Sequence, residues 1–160
     1  MSLSISLDLA SLDDLLDGVE EGMQEAARPA AQAAAQVLYE RVKANVGRIK
    51  PVTGKLAASI YQAYSRDQSK DGREVYHVSW NARKAPHGHL VEFGHLQRYE
   101  VSHDPKTGRF ITHKGRPLPT PKHVPGRPFI RPAMDAFPQA MAAAEETYLQ
   151  QLAQRGVTSA

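Results

Sequence analysis

Ser4 to Leu9 alternates polar and apolar positions, with Ile5, Leu7 and Leu9 on one side, and this period of two predicts a short strand. The period then lengthens. Ser11 with Asp14 three positions later forms a capping-box-like start, and Leu12, Leu15, Leu16 and Val19 give one apolar helical face that Gly18 and Gly22 are expected to end or loosen. Glu25 to Val46 predicts a second and stronger helix. It is dense in alanine, the best intrinsic helix former, and its stripe Ala30, Ala34, Val37, Leu38, Val42, Val46 is spaced for one buried face. Pro29 should begin or kink it, and Gly47 should end it.

After a loop from Pro51 to Gly54, Leu56 to Tyr64 reads as a strand whose start is a helical turn. Asp67 to Gly72 is a polar turn, and Val75 to Trp80 alternates with Tyr76, Val78 and Trp80 on one face. Leu90 to Gly94 is a short apolar element behind the Pro86 and Gly88 break. Tyr99–Ser102 and Arg109–Thr112 flank the turn sequence Asp104 to Gly108 and predict a hairpin arm. Lys114 to Pro128, with Pro117, Pro119, Pro121, Pro125 and Pro128, predicts an extended polyproline-like loop without regular pairing. Pro132 suits a first helical residue and Pro138 a second start, after which Met141, Ala144, Tyr148, Leu149 and Leu152 form the expected buried stripe of a helix ending at Gly156. The predicted architecture is α+β, with a long N-terminal helix and a C-terminal helix packed on a small antiparallel sheet. A length of 160 residues predicts a single domain over 1–160, with 95–127 as an extended arm and proline-rich loop.

Charge changes this picture by giving the chain two unlike ends. Residues 1–46 hold eight acidic and three basic side chains, a net of −5, whereas residues 83–131 hold ten basic and three acidic ones, a net of +7. Such segregation suits head-to-tail association between copies, or nucleic acid beside the basic segment. Apolar residues are 41% and aromatics 7%, so thin layers of helix on sheet are expected rather than one large core. There is no cysteine, which removes disulfides, thiolate metal sites and cysteine nucleophiles. The N-terminus has neither a basic region nor a long apolar run, and no stretch has the length of a membrane span, so a soluble protein without a secretory signal is expected.

Chemistry-bearing patterns are sparse. His87, His89 and Glu92 could together offer metal ligands, but no His-Glu-x-x-His spacing supports a zinc hydrolase. No Gly-x-Ser-x-Gly elbow is present, and Gly54-Lys55-Leu56 lacks the Gly-Lys-Ser/Thr ending of a phosphate loop. The sequence therefore predicts no catalytic, cofactor or metal residues and no enzyme. Nonspecific DNA binding is the rival, since Arg98, Tyr99, Lys106, Arg109, Phe110, Lys114 and Arg116 interleave cations with aromatics. No helix-turn-helix, zinc-finger or RNA-recognition signature accompanies them.

Three short blocks occur in order: Pro51-Val52-Thr53-Gly54-Lys55-Leu56-Ala57-Ala58-Ser59-Ile60, then Leu90-Val91-Glu92-Phe93-Gly94, then Arg127-Pro128-Phe129-Ile130-Arg131-Pro132-Ala133-Met134-Asp135. In this order the chain resembles the neck or tail-completion family of long-tailed phages, whose type member is the tenth-gene product of a lambda-like phage. The insertion between Phe93 and Arg127 is longer than the linker expected of that family. The resemblance implies a structural virion protein, made in the host cytoplasm and placed at the head–tail junction. It implies a homo-oligomeric ring, sixfold, that meets the connector or adaptor, the tail terminator or the tail tube, with possible contact to genomic DNA and none to membrane.

Physical readings of the blocks stand beside the resemblance. Gly54 permits a tight turn, Leu56 and Ile60 share a buried face near Ser59, Phe93 and Phe129 are candidate core anchors beside Gly94 and Pro128, and Pro132 with Ala133 starts a helix. Glu92, a lone acid among apolar residues, should pair with Arg127 or Arg131, and Glu92→Gln is expected to weaken assembly more than it unfolds the monomer. The candidate interface comprises Glu92, Arg98, Tyr99, Arg109, Phe110, Lys114, Arg116, Arg127 and Arg131 on the basic side, and Asp13, Asp14 and Asp17 on the acidic side.

Overall fold

A long helix that neither glycine nor proline interrupts organises the molecule. The computed structural model describes residues 9–49, 54–70 and 72–155. Its first helix, α1, runs Leu9–Arg48 as 40 residues with Pro29 inside. The strand expected at Ser4 to Leu9 lies almost wholly outside the described residues, and Leu9 itself is helical. Gly18 and Gly22 do not end a first helix, contrary to the sequence expectation. Each interior glycine costs about 1 kcal/mol relative to alanine and a proline about 3. Good helix formers surround all three, and α1 buries Gly22, Ala26, Ala30 and Ala35, so packing of a small-residue face outweighs the local penalties.

The next elements are α2 (Lys55–Ser59), β1 (Ile60–Tyr64), β2 (Tyr76–Trp80) and α3 (Gly88–Phe93). The helical turn running into a strand is thus where the sequence placed it. Gly54 sits in the left-handed region at φ 69 and accepts a hydrogen bond from the Ala58 amide, which closes the turn. β1 and β2 pair antiparallel, from Ile60 opposite Trp80 to Tyr64 opposite Tyr76. The face carrying Gln62, Tyr64 and Tyr76 lies on α1: Gln62 donates to Gln36, the Tyr76 hydroxyl donates to Gln32, and the Arg28 guanidinium covers the Tyr64 ring at 4.3 Å.

The chain then leaves the body as a ribbon of two long strands, β3 (Gly94–Asp104) and β4 (Arg109–Pro125). This corrects the expectation of an unpaired polyproline loop over Lys114 to Pro128. Proline is excluded from central strands because it cannot donate to the ladder, but both strands of a two-stranded ribbon are edges. The register supplies the remaining room. Pairing shifts between Gln97 and Glu100, and β4 has 17 residues against 11 in β3, so Pro119 and Pro121 fall in surplus chain between Pro117, opposite Tyr99, and Lys122, opposite Gln97.

A 3-10 helix over Arg131–Ala136, with Pro132 in its first turn, leads into α4 (Phe137–Gln154). The Asn45 side chain donates to the Phe129 carbonyl and Arg155 pairs with Glu25, so α4 runs antiparallel along the C-terminal half of α1. The α4 stripe is rotated from the one expected. Ala133, Ala136 and Ala140 are buried, whereas Met141 and Leu149 are each 51% exposed. Alanine on both helices permits close approach, and close approach leaves the larger side chains outside.

The core gathers Val42, Val46, Leu56, Ile60, Ala85, Phe129 and Ala133. Phe129 is its largest member and meets the Trp80 ring edge-on at 5.7 Å between centroids. Phe93, also expected in the core, is 64% exposed and lies beneath the Arg131 guanidinium at 5.1 Å. The short helix α3 turns Glu92 inward, and its neighbour must then point out. Phe129→Ala should therefore lower unfolding free energy by about 3–5 kcal/mol, and Phe93→Ala by about 1 kcal/mol or less. Urea unfolding of both variants checks the pair, and equal losses would contradict this placement.

Candidate functional site: the basic ribbon and its buried anchor

The ribbon is held at its root by crossing backbones. Gly94 has φ 77, and a Cβ there would lie 2.6 Å from both the Gly126 nitrogen and the Val124 oxygen. A Cβ on Gly126 would in turn lie 2.8 Å from the Glu92 carbonyl oxygen. Only two glycines let the outgoing and returning strands pass this closely. The Arg127 amide then donates to the Val91 carbonyl at 2.7 Å, which fixes the returning chain against α3.

Glu92 completes the anchor. It is 1% exposed, and its carboxylate accepts hydrogen bonds from the backbone amides of Phe129 (2.6 Å), Ile130 (3.0 Å) and Arg131 (3.1 Å). The Arg131 Nε adds a bond at 3.3 Å, and its terminal nitrogen donates to the Glu92 carbonyl at 3.0 Å. Of the two expected arginine partners, the structure brings in Arg131. Burial raises the Glu92 pKa, but the amides of Ile130, Phe129 and Arg131 together with the Arg131 side chain outweigh it, and the carboxyl is held below its ordinary value. Two of the amides, Ile130 at the N-cap and Arg131 at the first position, open the 3-10 helix, where unpaired donors need an acceptor, and Phe129 just precedes them.

The three sequence blocks converge here. Leu56 and Ile60 of the first and Phe129 and Ala133 of the third share the core cluster, the Ser59 hydroxyl donates to the Leu56 carbonyl at 2.7 Å, and Glu92 of the second binds the third. Pro128 is exposed beside them. Sequence reasoning missed Asn45, Trp80 and Gly126. Only Trp80, as the sole tryptophan, carried a signal, whereas the Asn45 contact joins residues 84 apart.

From this root the ribbon projects about 35 Å, taking about 3.3 Å for each residue of β3. Its principal contacts run between its own strands, with α3 at the root as its main neighbour in the body. Asp104 accepts from the Lys106 amide and the Thr107 hydroxyl, and Gly108 at φ 65 closes the tip. Thr107 and Lys106 hold the Asp104 carboxyl below its ordinary range. Arg98, Tyr99, Arg109, Phe110, Lys114 and Arg116 are all exposed, with Phe110 at 62%, and Arg116 pairs with Glu100 at 3.5 Å. Residues 95–127 carry seven basic and two acidic side chains, a net of +5.

Among the expected interface residues, Glu92 is the one that is buried, with its carboxylate engaged within its own chain. Its engagement also removes it from the His87 and His89 set, and among the described residues no three metal-ligating side chains come together. Asp17 is exposed on α1, while the side chains of Asp13 and Asp14 lie outside those described. Among the described residues no helix is long and apolar enough to cross a membrane.

Residues 10–94, 85 of the 160, match the family model described as "Bacteriophage HK97-gp10, putative tail-component". The chain belongs to this family of phage tail components. No curated protein and no solved structure matches it. The HK97 gp10-like match covers α1 through α3 and stops where the ribbon begins. Ribbon, 3-10 helix and α4 lie beyond the matched span.

Losing a buried, multiply bonded charge costs about 3–5 kcal/mol, and Glu92→Ala should destabilise the protein by that amount. Arg131→Ala should cost about 1 kcal/mol, because its guanidinium is largely exposed and screened. Because folding lowers the Glu92 pKa, its contribution is complete above the unfolded value of about 4.3 and is lost as pH falls through the folded value. The melting-temperature gap between wild type and Glu92→Gln should narrow across that acid window. A gap that stays constant through it counts against this role.

Proposed function

We propose that this tail component is a subunit of a homo-oligomeric ring, sixfold, at the head–tail junction, where it joins connector and tail. The observation that carries this reading is the ribbon: positively charged, exposed on both faces and left almost without support by its own body. An isolated two-stranded ribbon is marginal in water, and a surface of this kind gains its stability from a partner. The acidic surface of α1, with Asp17, Glu20, Glu21 and Glu25 exposed, offers the opposite charge to neighbouring copies or virion proteins. The work is binding, done by the arm residues Arg98, Tyr99, Arg109, Phe110, Lys114 and Arg116. The whole chain is read as one domain carrying this arm.

A second reading has its own observation. The same cations interleave with Tyr99 and Phe110, as suits a phosphate backbone with stacked bases. On that reading the ribbon lines a channel for genomic DNA.

Native mass spectrometry and electron-microscopy class averages of the full-length protein distinguish the two. A closed ring of six chains is expected, with assembly lost in Arg109→Glu/Arg116→Glu while the helical circular dichroism is kept. A protein that stays monomeric at every concentration, yet binds duplex DNA with a log–log salt slope of about −0.9 per phosphate neutralised, would overturn the first reading in favour of the second.

A further inference from the structure

The outer face of the C-terminal helix is unexplained by the fold. Met134 (58% exposed), Phe137 (47%), Met141 (51%) and Leu149 (51%) are large apolar residues in contact with water. With Glu145 they form one ridge at spacings of three, four, four and four, which winds about 120° around α4 between Phe137 and Leu149 on the side away from α1. The inner face is already occupied by α1. Scattered exposed apolar residues need no explanation, but an aligned row of four marks an interaction surface.

Its charge narrows the occupant. Between Arg131 and Arg155 there is no lysine or arginine, while Asp135, Glu145 and Glu146 are all exposed. A fitting partner must bring apolar side chains and positive charge together. The ribbon does both. Val101 and Phe110 belong to successive same-face cross-strand pairs (Val101 with Thr112, His103 with Phe110), at 41% and 62% exposure; the strand alternation puts Lys114 on that face and Lys106 lies in the adjoining turn, whereas Arg109 falls on the other face and Arg116 pairs with Glu100. The acidic half of α1 matches the charge, but among its described side chains Met23 is the one large apolar residue that is exposed. Length agrees too: the ribbon spans about 35 Å and α4 about 27 Å. Because the ribbon does not lie on its own α4, the contact joins two molecules.

We propose that the ribbon of one copy lies across the outer face of α4 of a neighbouring copy, with Phe110 and Val101 on the Met134–Phe137–Met141–Leu149 row and the ribbon's cations beside Glu145 and Glu146. This rests on the ring reading and deepens it by naming the two surfaces that meet. Every copy offers both, so the contact is head-to-tail and can close a ring.

The chain has no cysteine, so cysteines can report the contact without background. Full-length Phe110→Cys and Met141→Cys chains, each at an exposed position, are mixed and oxidised. The expected product is the mixed Phe110–Met141 disulfide dimer in excess over both like pairs. It should be lost when Lys106→Glu/Lys114→Glu is added to the Phe110→Cys chain, and regained when Glu145→Arg/Glu146→Arg is added to the Met141→Cys chain. Light scattering on the unoxidised protein separates this inference from the ring. Oligomers without the mixed dimer overturn the docking alone. A wild-type protein that is wholly monomeric overturns docking and ring together. Cross-linking of Phe110→Cys to Glu20→Cys instead of Met141→Cys places the ribbon on α1 and also overturns it, as does charge reversal that abolishes duplex DNA binding while leaving the oligomer intact.

Discussion

A single buried carboxylate joins what the chain separates by more than thirty residues. Glu92 leaves α3 just before the ribbon begins, and the three amides it binds belong to residues 129–131, just after the ribbon returns. Desolvating that charge is costly, and only a cluster of donors aimed at one point can offset it. Two of the donors, Ile130 and Arg131, are free because a helix start leaves amides unpaired, and Phe129 joins them from the chain just before it. Three consequences follow from one interaction. The ribbon's two ends are clamped together, Phe129 is held over Trp80 and the α1 core, and the 3-10 helix that sets the direction of α4 has its first turn satisfied.

The clamp also explains how so long a ribbon can coexist with so modest a core. Its strands leave through the crossing of Gly94 and Gly126, where side chains are excluded and the backbone path is narrowly defined. Flexing at the tip need not disturb the body, because the root is fixed by the buried Glu92 carboxylate and its backbone donors. The exposed ribbon and the region that holds the fold are thus adjacent but structurally distinct.

Much of this was legible in the sequence, and the parts that were not share a cause. Helix, strand and turn positions followed from periods of 3.6 and 2 wherever one face is buried in the chain itself, as in the Tyr76–Val78–Trp80 face and the Leu56–Ile60 turn. Errors fell where tertiary geometry chose between locally equal options. Helical spacing could not tell whether Met141 and Leu149 or Ala140 faced inward, because both rows fit one helix, and close packing on an alanine-rich α1 decided for alanine. Phe93 and Phe129 looked equivalent, and the inward turn of Glu92 separated them. The prolines of β4 argued against a strand by their general cost in sheets, and a ribbon made only of edges removed that cost. Gly18, Gly22 and Pro29 argued for interruptions that packing along α1 overrode.

These departures carry functional content of their own. A fold that buries alanine and exposes methionine, phenylalanine and leucine along the same helix has spent its small residues on its own packing and left its large ones for something else. A ribbon that exposes both faces poses the matching problem, with apolar and basic side chains that its own body never meets. One copy of the chain solves neither. Two copies solve both, provided the ribbon of one lies on the helix of the other, and a repeat of that contact around an axis leaves every ribbon seated and every α4 covered.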